Sequence, residues 1–238
     1  VVVEGSPSAV ADVLDAVTAV DAHVWTWPAA LPALAVFGGT ITETTDHGAI
    51  VDLGVGRDAF LPFSEVDGYV DAGDHVVVQV IDPRAPWLTD RRPVVSCSLR
   101  LRNALATIGE DRTGVEGPAA LGNAVEMLSI ELPDGWGLGW DRAAEDAPIA
   151  ALERAVTALT TDVPALVAGR NEAAADTHGQ LAAPRETVWI WFDRPARFAM
   201  DTERDRVRET IGGHHRLKAG GAGAGPAVDF VEAVAEGI

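Results

Sequence analysis

Between Leu34 and about Leu101, apolar residues recur at every second position in five short runs: Leu34 to Thr44, Ala49 to Leu53, Ala59 to Pro62, Asp74 to Ile81 and Val94 to Leu99. A period of two sends alternate side chains to opposite faces of a strand, and a helix cannot satisfy it. The runs are joined by Thr45-Asp46-His47-Gly48 and Gly54-Val55-Gly56, whose residue types reverse a chain within a few positions. Strands this short and this closely spaced predict a small antiparallel barrel.

The flanks read differently. Val1 to Val3 form a short strand, Val10, Val13, Leu14 and Val17 have helical spacing, and His23-Val24-Trp25-Thr26-Trp27 alternates again. After the barrel, Gly109 to Asp141 is rich in glycine and acid, with a strand candidate at Ala124 to Leu132. A helix is expected from Ala143 to about Thr160, a polar linker from Arg170 to Arg185, and a strand buried on both faces at Thr187 to Phe192. A charged helix at Ala196 to Ile211 and a last helix from about Val228 complete the pattern. The expected fold class is α+β in three parts: residues 1–33 as a small strand-helix-strand unit, 34–108 as the barrel, and 109–238 as a mixed α/β subdomain. The initial valine and the unpartnered apolar pattern at the end read as an excerpt of a longer protein.

Composition narrows the function. The 238 residues carry a formal charge of −18, and seventeen of the eighteen cations are arginine, with Lys218 the sole lysine. A lysine-poor acidic surface suits concentrated salt, where self-repulsion is screened within about 3 Å at 1 M. The expected location is a halophilic cytoplasm. Pro28 and Pro32 interrupt the longest apolar stretch, which predicts no membrane span, and the first cation is Arg57, so no export signal is expected. Cys97 alone rules out an internal disulfide and any multi-cysteine zinc site. Walker, dinucleotide and Gly-x-Ser-x-Gly motifs are absent from the sequence, which disfavours nucleotide hydrolysis, redox and esterase chemistry.

The cations are clustered. Arg84, Arg91, Arg92, Arg100, Arg102 and Arg112 face three acids within 84–112, and seven cations face five acids within 193–218. Islands of arginine either hold phosphates or pair with acids elsewhere in the fold. Charge alone does not separate the two.

Specific strings add a resemblance. Phe37-Gly38-Gly39-Thr40-Ile41, Ala49 to Gly54, Arg57-Asp58-Ala59-Phe60-Leu61-Pro62 and Gly73 to Val80 resemble the S1-type RNA-binding barrel of ribonucleases E and G. Ser98 to Leu105 and Glu131-Leu132-Pro133-Asp134-Gly135-Trp136-Gly137-Leu138 resemble the region that follows it in those enzymes. With Ile211-Gly212-Gly213-His214-His215-Arg216-Leu217-Lys218 and Ala227 to Phe230, the chain resembles the archaeal FAU-type family of ribonucleases that bind AU-rich RNA. That family carries a further C-terminal domain, which has no counterpart in this sequence.

The resemblance implies that Phe60 stacks an RNA base, while the second such position holds Ile50. Phe37, His47, Tyr69 and Trp87 are the other aromatic candidates, and Trp87 lies between Arg84 and the pair Arg91-Arg92. Stacking on each is worth about 1–3 kcal/mol per base. Arg57, Arg84, Arg91, Arg92, Arg100, Arg102, Arg216 and Lys218 are the candidate phosphate contacts. His214 and His215 offer a proton donor and acceptor beside cations, the ingredients of metal-free RNA cleavage.

The expected function is binding of single-stranded, AU-rich RNA with endoribonuclease activity in ribosomal RNA maturation or degradation. The alternatives are a non-catalytic RNA-binding module and an acidic halophilic small-molecule enzyme. RNA is the expected partner, with no membrane. No cofactor or metal ligand is assigned, Mg²⁺ entering only if cleavage proves metal-dependent.

Overall fold

The computed structural model describes residues 2–5, 7–18, 24–66, 68–84, 91–118, 121, 128, 131–171, 178–192 and 217–218. Among these the chain is α+β, built from three sheets and two long helices.

The predicted barrel is present. Strands β3 (Val36–Thr44), β4 (Gly48–Asp52), β5 (Ala59–Pro62), β6 (His75–Asp82) and β7 (Val94–Ser96) run in the order β3-β4-β5-β7-β6, and β3–β6 pairing closes the ring. Closure is possible because β5 and β7 pair in parallel at Phe60↔Val94 while the other junctions are antiparallel. One residue parity fills the interior: Phe37, Ile41, Ala49, Val51, Ala59, Leu61, Val76, Val78 and Val80 are buried there. At about 25 cal/mol per Å² of apolar area, such burial holds the ring together.

The next strands, β8 (Arg100–Arg102), β9 (Ala106–Gly109), β10 (Val115–Glu116) and β11 (Gly137–Trp140), form a second sheet ordered β10-β11-β9-β8. Helix α2 (Ile149–Asn171) lays Leu152, Val156, Leu159, Val163 and Leu166 onto the core of this sheet. Val36, from the outward parity of β3, belongs to the same core, so the barrel wall and the second sheet share one interior. Asn103, buried at this junction, is satisfied: its Nδ2 donates to Ala155 O at 2.8 Å while its Oδ1 accepts from Leu105 N and Ala106 N.

A third sheet has the order β14-β1-β13-β2, from β1 (Val2–Gly5), β2 (Val24–Pro28), β13 (Glu186–Phe192) and β14 (Leu217–Lys218). β13 lies between the first two strands, and helix α1 (Pro7–Thr18) connects toward β2. Thr187, itself buried, receives Ala33 N on its hydroxyl at 2.7 Å and Ala29 N on its carbonyl at 2.8 Å. Those bonds fasten β13 to the entrance of the barrel.

Two sequence expectations change. The helix begins at Ile149 rather than Ala143, because Pro148 precedes it and its carbonyl accepts from Ala151 N and Leu152 N. It continues through Pro164, on the exposed side, to Asn171. The supposed linker holds a strand, β12 (Gly179–Ala182), which pairs with β3 through Gly179↔Gly38 and Gln180↔Phe37. Most of the candidate strand at 124–132, the charged helix and the last helix lie outside the described residues.

Candidate nucleic-acid interface

Since Ala49, Val51, Ala59 and Leu61 point inward, the same strands present Gly48, Ile50, Asp52, Phe60 and Pro62 on the outer wall of the barrel. In five-stranded barrels of this class, the face of the second and third strands and the loops at its ends take up oligonucleotides. Here those strands are β4 and β5. Phe60 is partly exposed, and its ring leans over Gly48, where an added Cβ would stand 2.8 Å from the ring edge. Ile50 is buried, at 5% exposure, and offers no platform.

Beyond Pro62 a short 3-10 turn sets Phe63 on the surface at 44% exposure, and its N–H donates to His47 O at 3.2 Å. His47 is itself exposed on the β3–β4 turn, which Thr45 closes by donating from N and Oγ1 to Gly48 O. Phe60, Phe63 and His47 therefore converge at one end of the β4–β5 face. Sequence reasoning did not select Phe63; the signal was a phenylalanine just past a strand end, in Pro-Phe-Ser-Glu, where no core parity remains to bury it.

The β6–β7 connection borders the same face. Phe60 N donates to Pro93 O at 2.8 Å, so the chain leaving this connection lies against β5. Gly54 and Gly56, at φ +72 and +74, turn the chain after β4 so that Arg57 points across to it. Arg57 Nη1 donates to Arg84 O at 3.3 Å and Nη2 to Arg91 O at 2.9 Å. Desolvation by burial lowers the pKa of this guanidinium, which remains a cation. Arg84 pairs with Asp82 at 3.3 Å, while Arg91 and Arg92 are exposed. Trp87 lies outside the described residues.

Other candidates sit elsewhere. Phe37 is fully buried in the barrel core, which corrects its assignment as an RNA-facing aromatic: its parity on β3 is the interior one. Arg100 donates to Glu65 Oε2 and to Ser96 Oγ and lies 3.6 Å from Asp111 Oδ2, so this arginine is a structural ion pair and not an open cation. Arg102 is partly buried on the same strand. Arg112, of the same island, lies against Gly137 and Gly139 and pairs with Glu116 at 3.3 Å. Arg170 likewise meets Glu110 at 2.7 Å. Tyr69, 85% exposed, donates its hydroxyl to Asp71 Oδ1 at 3.1 Å, and that bond raises its pKa. His214, His215 and Arg216 lie outside the described residues, and Lys218 is placed only by the backbone pairing of β14 with Val2. Among the described residues no three His, Cys, Asp or Glu side chains converge as metal ligands, and no helix is long and apolar enough to cross a membrane.

Residues 33–82 match the S1 RNA binding domain, the segment that contributes β3 through β6. The probable ribonuclease FAU-1 of Natronomonas pharaonis is 36% identical over 239 residues, covering 98% of this chain and 51% of the relative. Over most of its length the chain is similar to the archaeal FAU-1 proteins. Those of Haloarcula marismortui, 39% identical over 98% of this chain and 50% of the relative, and Halobacterium salinarum, 38% identical over 89% and 46%, match in the same way. The chain thus spans about half the length of the FAU-1 relatives it matches. The similarity to FAU-1 extends well beyond the S1 segment, over 98% of this chain.

Proposed function

We propose that this chain is the RNA-holding half of a FAU-1-type endoribonuclease, active in the cytoplasm on single-stranded, AU-rich RNA such as ribosomal RNA precursors. The observation that carries the reading is the partly exposed Phe60 on the β4–β5 wall, with the exposed Phe63 just past the end of β5 and the exposed Arg91 and Arg92 on the chain that enters β7 alongside β5. Exposed rings on a strand face cost solvation unless a partner covers them, and a nucleobase stacked on such a ring contributes about 1–3 kcal/mol. Arg91 and Arg92, at the Arg57 end of the same face, supply charge for phosphates. Similarity to proteins named as ribonucleases supports the cleavage part.

For cleavage, His214 and His215 are the proposed acid–base pair. One imidazole takes the proton of an RNA 2′-hydroxyl as that oxygen attacks phosphorus, and the other protonates the departing 5′-oxygen, leaving a cyclic phosphate. Arg216 and Lys218 would steady the phosphate, with Mg²⁺ required only if the pathway is metal-dependent. Because the chain spans half of its relatives, a second reading is that it holds RNA and the cut needs the remainder. Incubation with a synthetic AU-rich strand in molar potassium chloride separates the readings. Cleavage supports the first, a mobility shift without cleavage the second, and neither effect would remove RNA from the account.

A further inference from the structure

We infer that Arg57 is a positioning residue: its guanidinium ties the carbonyls of Arg84 and Arg91 together and acts on RNA by anchoring the exposed Arg91-Arg92 pair, not by touching phosphate. The inference rests on the proposed RNA reading of the β4–β5 face.

Three observations carry it. Arg57 Nη1 and Nη2 reach the carbonyls of Arg84 and Arg91, which bracket residues 85–90, so one planar fork spans the neck of the loop. Both bonds engage backbone carbonyls, acceptors that persist whatever side chains the loop carries. The delivering turn is built for it, with left-handed Gly54 and Gly56 before the arginine and Gly54 N held on Asp52 Oδ1 at 2.8 Å. A cation kept for phosphate would leave its fork in solvent, whereas Arg57 is half-buried and directs two of its nitrogens inward to the chain.

A staple and a phosphate contact make different predictions in a double-mutant cycle. Arg57→Gln is measured in the parent chain and in a background where Arg91 and Arg92 are already alanine, which keeps the carbonyl of residue 91. Titration uses a single-stranded AU-rich oligonucleotide in molar salt. In the parent, Arg57→Gln should weaken binding at least about fivefold, the equivalent of one lost charge-assisted phosphate contact. In the loop background it should change affinity by less than about twofold, because nothing remains for it to position. Arg57→Lys should restore only part, since an ammonium cannot reproduce the fork. Equal losses in both backgrounds would make Arg57 a direct phosphate contact and overturn the inference, as would an unaffected parent.

Amide hydrogen exchange without RNA keeps this separate from the RNA reading. Arg57→Gln should raise exchange around residues 84–92 while β3, β4 and β6 stay protected. If the parent chain binds no RNA, the proposed function fails but the exchange result still decides the staple. Unchanged exchange at the loop, or loss of protection throughout the barrel, would overturn it.

Discussion

Gln79 and Arg100 bond as though the side chain of one were a strand. Gln79 Nε2 donates to Arg100 O at 2.9 Å while Arg100 N donates to Gln79 Oε1 at 2.8 Å, and Nε2 also reaches Leu34 O at 3.0 Å. Gln79 is fully buried, so this one amide joins the start of the barrel, its fourth strand and the second sheet. Gln79→Leu keeps the volume and strips three backbone groups, Leu34 O, Arg100 O and Arg100 N, of this partner. The expected loss is about 2–4 kcal/mol, since each unsatisfied group costs about 1–3 kcal/mol and partial rehydration recovers some of it. Chemical denaturation in constant molar salt measures it, and a variant as stable as the parent would contradict the bridging role.

Stacking gives the second prediction. Phe60→Ala with Trp87→Ala should weaken single-stranded RNA binding by about 2–6 kcal/mol in total and leave unfolding cooperative. Phe63→Ala alone should contribute about 1–3 kcal/mol on the same scale. Phe37→Ala, by contrast, should lower stability by about 3–5 kcal/mol through a core cavity. Wild-type affinity in the Phe60 and Trp87 double variant would remove this face from the account.

Salt dependence is the third. With a formal charge of −18, the fold should be lost in dilute buffer and recovered in molar potassium chloride, followed by circular dichroism. Counterion release contributes little at such salt, so RNA affinity should change only shallowly between about 1 and 3 M. A chain fully folded in dilute buffer would contradict the halophilic reading.

The fourth concerns chemistry. His214→Ala with His215→Ala should reduce cleavage by orders of magnitude with binding nearly intact, and chelators should not abolish it. Normal cleavage by the double variant, or a strict magnesium requirement, would move catalysis to other groups. Joint loss of binding and cleavage would make the histidines RNA contacts.

What sequence alone determined here is local. The period-two runs and their glycine turns located all five barrel strands, because strand parity and turn chemistry are properties of neighbouring residues. The Arg57 to Pro62 string likewise marked the face that carries Phe60. Tertiary structure decided what depends on distant partners. Phe37 and Phe60 both sit on alternating strands, yet closure of the ring sends the first inside and leaves the second outside. Arg57 and Arg100 look alike as isolated cations, and only the fold brings one to two loop carbonyls and the other to Glu65. β13 enters the sheet between β1 and β2 across more than 150 residues of chain, and β12 pairs with β3 where the sequence suggests a linker. Such pairings follow from which apolar faces and backbone groups remain to be satisfied after the local elements form, information that no window of neighbouring residues contains.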